Sequence, residues 1–351
     1  MRSLIAILMS LAIVITGCSN SNSTPSTQPS PGNSTSPPAP PTEKMVLKYA
    51  HPNAPDTIVG RFATGLAEQV AQRTEGRVEI KVYPNSQLGS VNEMIEGVKA
   101  GTIEMGHNDF AAVAKVFPDL AVFNVPYLYK DVEHASKAMN PNTSDVLQEL
   151  NEKLVAEANM RIIGSNYYGY RQLTANIPVY KPDDLAGKKI RAIPLPLWIT
   201  MVEGMKAIPT PVDFSELSTA LATRVVDGQE NPLTTILNNH FYESQNYLMM
   251  TNHMLAFLAV HINEQSWQKI APGDQKIIEE AIQEMTQKSI EWGLEEEKTN
   301  LEQLKEKGMN VITDAEGLDN AAFEQAVSTE VLRKFPEWND YITRIKSLAG
   351  N

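Results

Sequence analysis

Between residues 45 and 107 the apolar residues change period again and again, and that alternation restricts the fold more than any other feature of the chain. MVLKYAHP (45–52) alternates apolar and polar residues as a half-buried strand does. Across 56–73, Ile58, Phe62, Leu66 and Val70 recur at helical spacing, and Gly76 follows the end. RVEIKVYP (77–84) alternates again. VNEMIEGVKAG then turns Met94, Ile95 and Val98 to one side of a helix closed by Gly101, and TIEMGH (102–107) reads as a third strand. The order β-α-β-α-β predicts an α/β domain whose sheet is covered by helices. Further on, RIIGSNYYGYRQLTAN (161–176) reads as strand, crossing segment and strand, and KPDDLAGKKIRAI (181–193) as a short turn-helix leading into a strand. SELSTALATR (215–224) reads as a helix with Ser215 as N-cap, followed by a strand at VVDG. Residues 273–307 predict a long charged helix with Ile277, Ile278, Ile282 and Met285 as its apolar stripe.

The N-terminus bears on the compartment. Arg2 precedes the apolar run LIAILMSLAIVI (4–15), which ends in Thr16-Gly17-Cys18. A basic start, a short apolar core and small residues before a cleavage point define a secretory signal, and the run is shorter than the ~20 residues of a membrane span. ITGC resembles a bacterial lipobox, so residues 1–18 are expected to be a lipoprotein signal peptide, with Cys18 the lipidated first residue of the mature chain. Cys18 is the sole cysteine, which rules out an internal disulfide. Residues 19–44 begin SNSNSTPSTQPSPGNSTSPPAPPTE and cannot bury enough apolar surface to offset their ordering entropy. They are expected to form a disordered tether that holds the body to the outer face of a cell membrane or in a periplasm.

The chain carries 30 basic and 42 acidic residues, a net charge of −12, which argues against nucleic acid as a partner and against electrostatic membrane binding. Anion binding must therefore come from local positive groups. The sequence has no GxSxG elbow, no HExxH, no Walker lysine loop and no GxGxxG after a strand. Its six histidines, 51, 107, 134, 240, 253 and 261, show no metal-ligand spacing. No enzyme activity, metal or cofactor is expected. One stretch, VVDGQENPL (225–233), does place two carboxylates together, Asp227 and Glu230. They could serve as the acid and base of a glycosidase, but no aromatic cluster sits beside them and Gly228 suggests a turn. A structural role is expected for both, shaping the turn and pairing across lobes.

Two arginines stand out. Arg191 lies in KKIRAIP, inside an alternating strand, and Arg171 follows an aromatic-rich segment in YYGYRQLTA. An arginine between apolar strand residues must be paired or face a cleft, because burying it alone is costly. Its planar fork matches a carboxylate bidentately. From spacing alone the partner could equally be structural, with Asp183, Asp184 or Glu216 as candidates.

The order YRQLTAN (170–176), DDLAGKKIRAIP (183–194), IPTPVDFSELSTAL (208–221), VVDGQENPL and FYESQNYLMMTNH (241–253) resembles the substrate-binding proteins of tripartite ATP-independent periplasmic (TRAP) transporters, the DctP family. YPNSQLGS (83–90), GVKAGTIEM (97–105) and the run from FPDLAVFNVPYLY (117–129) to DVEHA (131–135) extend the resemblance over the whole body. It implies an α/β, two-lobe periplasmic-binding-protein-like fold, type II-like, with lobes joined by crossing strands and a long helix. Lobe I would take 45–168 and about 257–296, and lobe II 169–256 and about 297–351. The lobes would close on an organic acid such as a sugar acid, hydroxy acid or C4-dicarboxylate. The partners implied are the small and large membrane subunits of the transporter; a sensory receptor presenting its ligand to a membrane signalling protein would use the same closure. Carried onto this sequence, the family's principal carboxylate-binding arginine is Arg191, its second arginine Arg171 and its ligand-binding asparagine Asn231, with Phe214 packing on the ligand. Where some sialic-acid binders have an asparagine and an acidic residue, this chain has Pro52 and Val91, which argues against sialic acid. Asp109 would accept ligand hydroxyls or act as a helix N-cap, His51 is a further candidate, and Trp198 would cover a ligand face or sit in the core. The glutamate run EWGLEEEK (291–298) is expected to be a solvated face.

Overall fold

The computed structural model describes residues 44–350. The expected signal peptide with Cys18, and the tether up to residue 43, lie outside the described residues. Nine strands form one sheet: β1 (Met45–Ala50), β2 (Val78–Tyr83), β3 (Met105–Asp109), β4 (Met160–Ala175), β5 (Lys189–Ala192), β6 (Ile208–Pro211), β7 (Gly228–Pro232), β8 (Tyr247–Asn263) and β9 (Asn310–Ile312). Their order is β2-β1-β3-β8-β4-β7-β5-β6, with β9 on β8. β4 and β8 run antiparallel along almost their full lengths. At one end β8 pairs with β3, and at the other β4 pairs with β7, so two smaller parallel groups hang from one shared ribbon. Those groups are the sheets of the two lobes. The last helix, Asn339–Ser347, is tied by Arg344 to Asp145 and Glu149 of the helix Asp145–Ala158, which packs on β4. The C-terminal segment therefore packs on a helix from the N-terminal half of the chain.

The helices form where the pattern places them. Thr57 caps the helix Ile58–Arg73 by accepting from the Gly60 amide, and Ile58, Phe62, Leu66 and Val70 are its buried stripe. A capping box, Ser90 with Glu93, opens the helix Val91–Ala100, and Gly101 closes it at φ 74°. The helix Pro272–Glu306 is 35 residues long, about 50 Å, and lies along β4. Gly293 lets it approach: a Cβ there would come within 2.2 Å of the Tyr167 ring. Among the described residues no helix is long and apolar enough to cross a membrane.

Four local expectations are corrected. In place of strand, crossing segment and strand, one continuous strand runs over Met160–Ala175, because register shifts at Ile162/Gly164, Tyr167/Gly169 and Arg171/Leu173 absorb the irregularity that suggested a crossing segment. The third strand begins at Met105. VVDG is not a strand; β7 starts at Gly228, and that glycine serves close packing and not a turn, since a Cβ would sit 2.3 Å from the Thr174 carbonyl oxygen. Ser215 does not cap a helix: it lies inside a 3-10 turn, Phe214–Glu216, and the helix Leu217–Ala222 starts without a side-chain cap.

Candidate functional site

The shared ribbon brings the two arginines of the sequence into one buried region and gives them opposite circumstances. Arg171 is 1% exposed on β4 and meets Glu230 of β7 diagonally across the ladder. Its Nε donates to Glu230 Oε2 at 2.5 Å and its Nη2 to Oε1 at 2.9 Å, a bidentate pair. Trp198 Nε1 donates to the same carboxylate at 3.0 Å, and His253 Nε2 lies 3.1 Å from it. Thr251 Oγ1 stands 2.8 Å from His253 Nδ1, consistent with a neutral ring protonated on Nε2. Burial pushes the Glu230 carboxyl up, but the Arg171 charge and the hydrogen bonds from His253 and Arg171 outweigh it and hold it at about 2. Glu230 is thus a fully satisfied anion, spent on Arg171. It pairs with the neighbouring strand and not across lobes, as the sequence had suggested. Asp227 accepts from the Lys189 amide at 2.8 Å and ties β5 to the residue before β7.

Among the described residues Arg191 has no such partner. It is 1% exposed on β5, its Nε donates to the Val212 carbonyl at 2.9 Å, and its Nη1 is buried without a hydrogen bond. Burial pulls its pKa down to about 10, only partly offset by the charge of Glu230. Two of the three structural alternatives are engaged elsewhere: Asp183 pairs with Lys206, and Asp184 accepts from the amides of Tyr180 and Lys181. A buried guanidinium with an idle nitrogen is unstable on its own account and is suited to an incoming anion.

Asp109 closes β3 in the same electrostatic neighbourhood as Arg171, Glu230 and Arg191. It occupies the N-cap position of the short helix Phe110–Val113 but makes no side-chain cap hydrogen bond, and its Oδ1 is buried and unpartnered. Burial raises its pKa, against the pull of Arg171. His51, at the end of β1, is fully buried, and neither ring nitrogen has a partner. Asn231 is engaged on both sides, Oδ1 accepting from Arg171 Nη2 at 3.1 Å and Nδ2 donating to Gln229 Oε1 at 2.5 Å. Trp198 lies in the core and holds Glu230. Phe214 is 41% exposed on the rim of a cavity of about 540 Å³. That cavity is bounded by Pro52–Val59 on one side, Thr234–His240 on the other and Tyr168 of β4 between them, so it opens between the two strand groups. Tyr168 shares a hydrogen bond of 2.9 Å with Thr235 there.

Sequence reasoning missed Glu230 and His253 as the apparatus that fixes Arg171. It also misread the glutamate run. Glu297 accepts from Tyr167 OH at 2.6 Å and from the Tyr170 amide at 3.1 Å, clamping the long helix to β4 beside Arg171, so the run is not merely solvated.

The buried histidines set an acid limit on stability. Burial lowers His51 to about 4 and His261 to about 3, and lowers His107 and His253 as well. Each binds its proton more weakly folded than unfolded, so stability is full above about 6.5 and falls as pH drops toward the folded values. His51 and His261 together should remove roughly 5 kcal/mol between pH 6.5 and 4.5, with the raised Asp109 opposing by a smaller amount. Urea titrations at pH 7.5 and 4.5 check this; equal unfolding free energies would contradict it.

The model of the family described as bacterial extracellular solute-binding protein, family 7, matches residues 49–337. The chain is 31% identical over 298 residues to a solute-binding protein of Roseobacter denitrificans, covering 84% of this chain and 88% of that protein. It is 32% identical over 268 residues to the 2,3-diketo-L-gulonate-binding periplasmic protein YiaO of Escherichia coli, covering 75% of this chain and 79% of that protein. Among solved structures, a TRAP periplasmic solute-binding protein of Actinobacillus succinogenes with bound L-galactonate superposes with a TM-score of 0.79 at 30% identity, over 87% of this chain and 99% of that one.

Proposed function

The chain belongs to the bacterial extracellular solute-binding proteins of family 7, and from that premise we propose that its cleft captures a hydroxylated monocarboxylate of the sugar-acid class for delivery to the membrane subunits of a TRAP transporter. The observation that carries the reading is Arg191, buried with an unpartnered Nη1 and no carboxylate of its own. One ligand carboxylate completes it. Arg171 is already neutralised by Glu230, so the region has one uncompensated guanidinium to offer and not two. Asp109, with its unpartnered Oδ1, accepts a ligand hydroxyl and disfavours a second carboxylate, and the unpartnered nitrogens of His51 offer further polar contacts. The relatives named for 2,3-diketo-L-gulonate and bound to L-galactonate fit that class of ligand. Closure follows because only the closed form completes the carboxylate's contacts. A lipid anchor at Cys18 and a tether over 19–44 would keep the body close to its membrane partners.

A thermal-shift screen of aldonates, uronates, hydroxy acids and dicarboxylates tests the assignment. A cognate acid at about a hundred times its Kd should add about 2.7 kcal/mol of stability. Asp109→Asn should leave the aldonate response within about tenfold in affinity while raising the response to dicarboxylates, since it removes a carboxylate that would repel a second ligand anion. A screen in which only dicarboxylates bind the native protein sinks the monocarboxylate assignment.

A further inference from the structure

We propose that the protein has a second ligand site, beside the β4/β8 ribbon, that takes a small hydroxylated aromatic carboxylate and is coupled to the cleft through the two strands. A cavity of about 380 Å³ lies there, walled by Tyr127, Tyr170 and Leu255 and edged by Lys130, Lys346 and Glu324. Its size is that of a small-molecule pocket. Among the described residues neither lysine forms an ion pair, so two cations line one cavity of a chain whose net charge is −12. The tyrosine and leucine walls suit a planar apolar body, and Glu324 offers an acceptor for its hydroxyl.

Backbone strain gathers at the same place. Tyr127 holds φ 57° and Asn252 φ 45°, and both line the cavity. Residues held in the left-handed region cost energy and mark sites where the surroundings dictate the backbone. The Tyr127 hydroxyl is also buried without a partner.

Coupling follows from strand geometry. On β4 Tyr170 of the cavity is the immediate neighbour of Arg171, whose guanidinium Glu230 holds. On β8 Asn252 lines the cavity, while the next residue, His253, holds Glu230. Here β4 and β8 shift register, with Arg171 opposite Met254 but Leu173 opposite Met249, and the Gln172 side chain bonds Asn252 across the irregularity at 2.6 and 2.9 Å. The Tyr127 amide donates to the His253 carbonyl at 2.9 Å. Lys130 and Lys346 belong to segments on the first-lobe side, whereas Glu324 rides on the helix Asn320–Lys334, which packs on the second-lobe helix Pro196–Gly204. A body seated between them resists or favours relative movement of the lobes, and any effect on cleft affinity is reciprocal.

The test uses the purified full-length protein and 4-hydroxybenzoate as probe, with Arg191→Ala to disable the cleft and Lys130→Glu/Lys346→Glu to disable the second site. Calorimetric titration should give saturable binding that survives R191A and falls at least tenfold in the double charge reversal, whose folding is verified by its thermal midpoint. Hydrogen exchange of the peptides spanning 168–173 and 250–254 should slow on adding the probe, in R191A as in the native protein. Binding that is lost in R191A places the probe in the cleft and overturns the proposal. Absence of saturable binding, insensitivity to the charge reversal, or unchanged exchange on both strands overturns it equally. None of these outcomes bears on the cleft's own ligand, which the acid screen decides separately.

Discussion

Arg191→Ala should weaken binding of the cognate acid at least about thirtyfold with little effect on the stability of the unliganded protein. Truncating one member of a buried, hydrogen-bonded charge pair costs about 2–5 kcal/mol of affinity, and each 1.4 kcal/mol is a factor of ten. Here that loss falls mainly on the liganded state, because among the described residues Nη1 of Arg191 has no partner and the free protein loses only the hydrogen bond from Nε to the Val212 carbonyl. Burial has already drawn its pKa down to about 10, so the free protein sustains this charge at a cost. Arg191→Met, which fills the space without charge, should therefore raise the unfolding midpoint while abolishing binding. Arg191→Lys should fall between, keeping charge but losing the planar fork. Calorimetry and urea unfolding on the three variants decide the matter. Native-like affinity in R191A, or a large loss of stability in R191M, would remove Arg191 from the role of ligand anchor.

Glu230→Ala should have the opposite signature, a loss of about 3–5 kcal/mol of stability, the usual cost of stranding one member of a buried ion pair. Four hydrogen bonds to its carboxylate disappear at once: two from Arg171, one from Trp198 and one from His253. The fully buried Arg171 then keeps its charge with only the Glu230 carbonyl and the Asn231 amide oxygen for company. Removing both charges together, as Arg171→Met/Glu230→Leu, should cost less than Glu230→Ala alone, because no uncompensated charge remains. Urea midpoints at pH 7.5 measure the cycle. Additive losses would show that the two side chains stabilise the fold independently.

The architecture was legible because it rests on local period. The strand-helix alternation from residue 45 and the stripe Ile58, Phe62, Leu66, Val70 are properties of neighbouring residues, and the structure reproduces them. Arg191 could also be singled out, since a lone arginine within an apolar strand demands an explanation. What was not legible was the difference between the two arginines. That difference depends on Glu230, His253 and Trp198, which lie on three other elements and meet Arg171 only after the sheet is assembled. The strand was placed too early, at VVDG, for a related reason. Val225 and Val226 carry strand propensity, but Val226 packs into a side core while Gly228 is the residue small enough to lie on the Thr174 carbonyl. Likewise Glu297 looks like its exposed neighbours in sequence and differs only in facing Tyr167.

The position of β8 within the sheet also determines when the molecule can be finished as it is made. β3, at residues 105–109, finds its second neighbour only in residues 258–262. The parallel pairs β1/β2 and β1/β3 can form early, but the sheet they belong to keeps an open edge until most of the chain has emerged. Such distant pairing slows folding and leaves strand edges open to other chains in the meantime. Newly made protein should therefore depend on a holding chaperone more heavily than its final stability suggests, and chains cut short before residue 258 should aggregate instead of yielding a free first lobe.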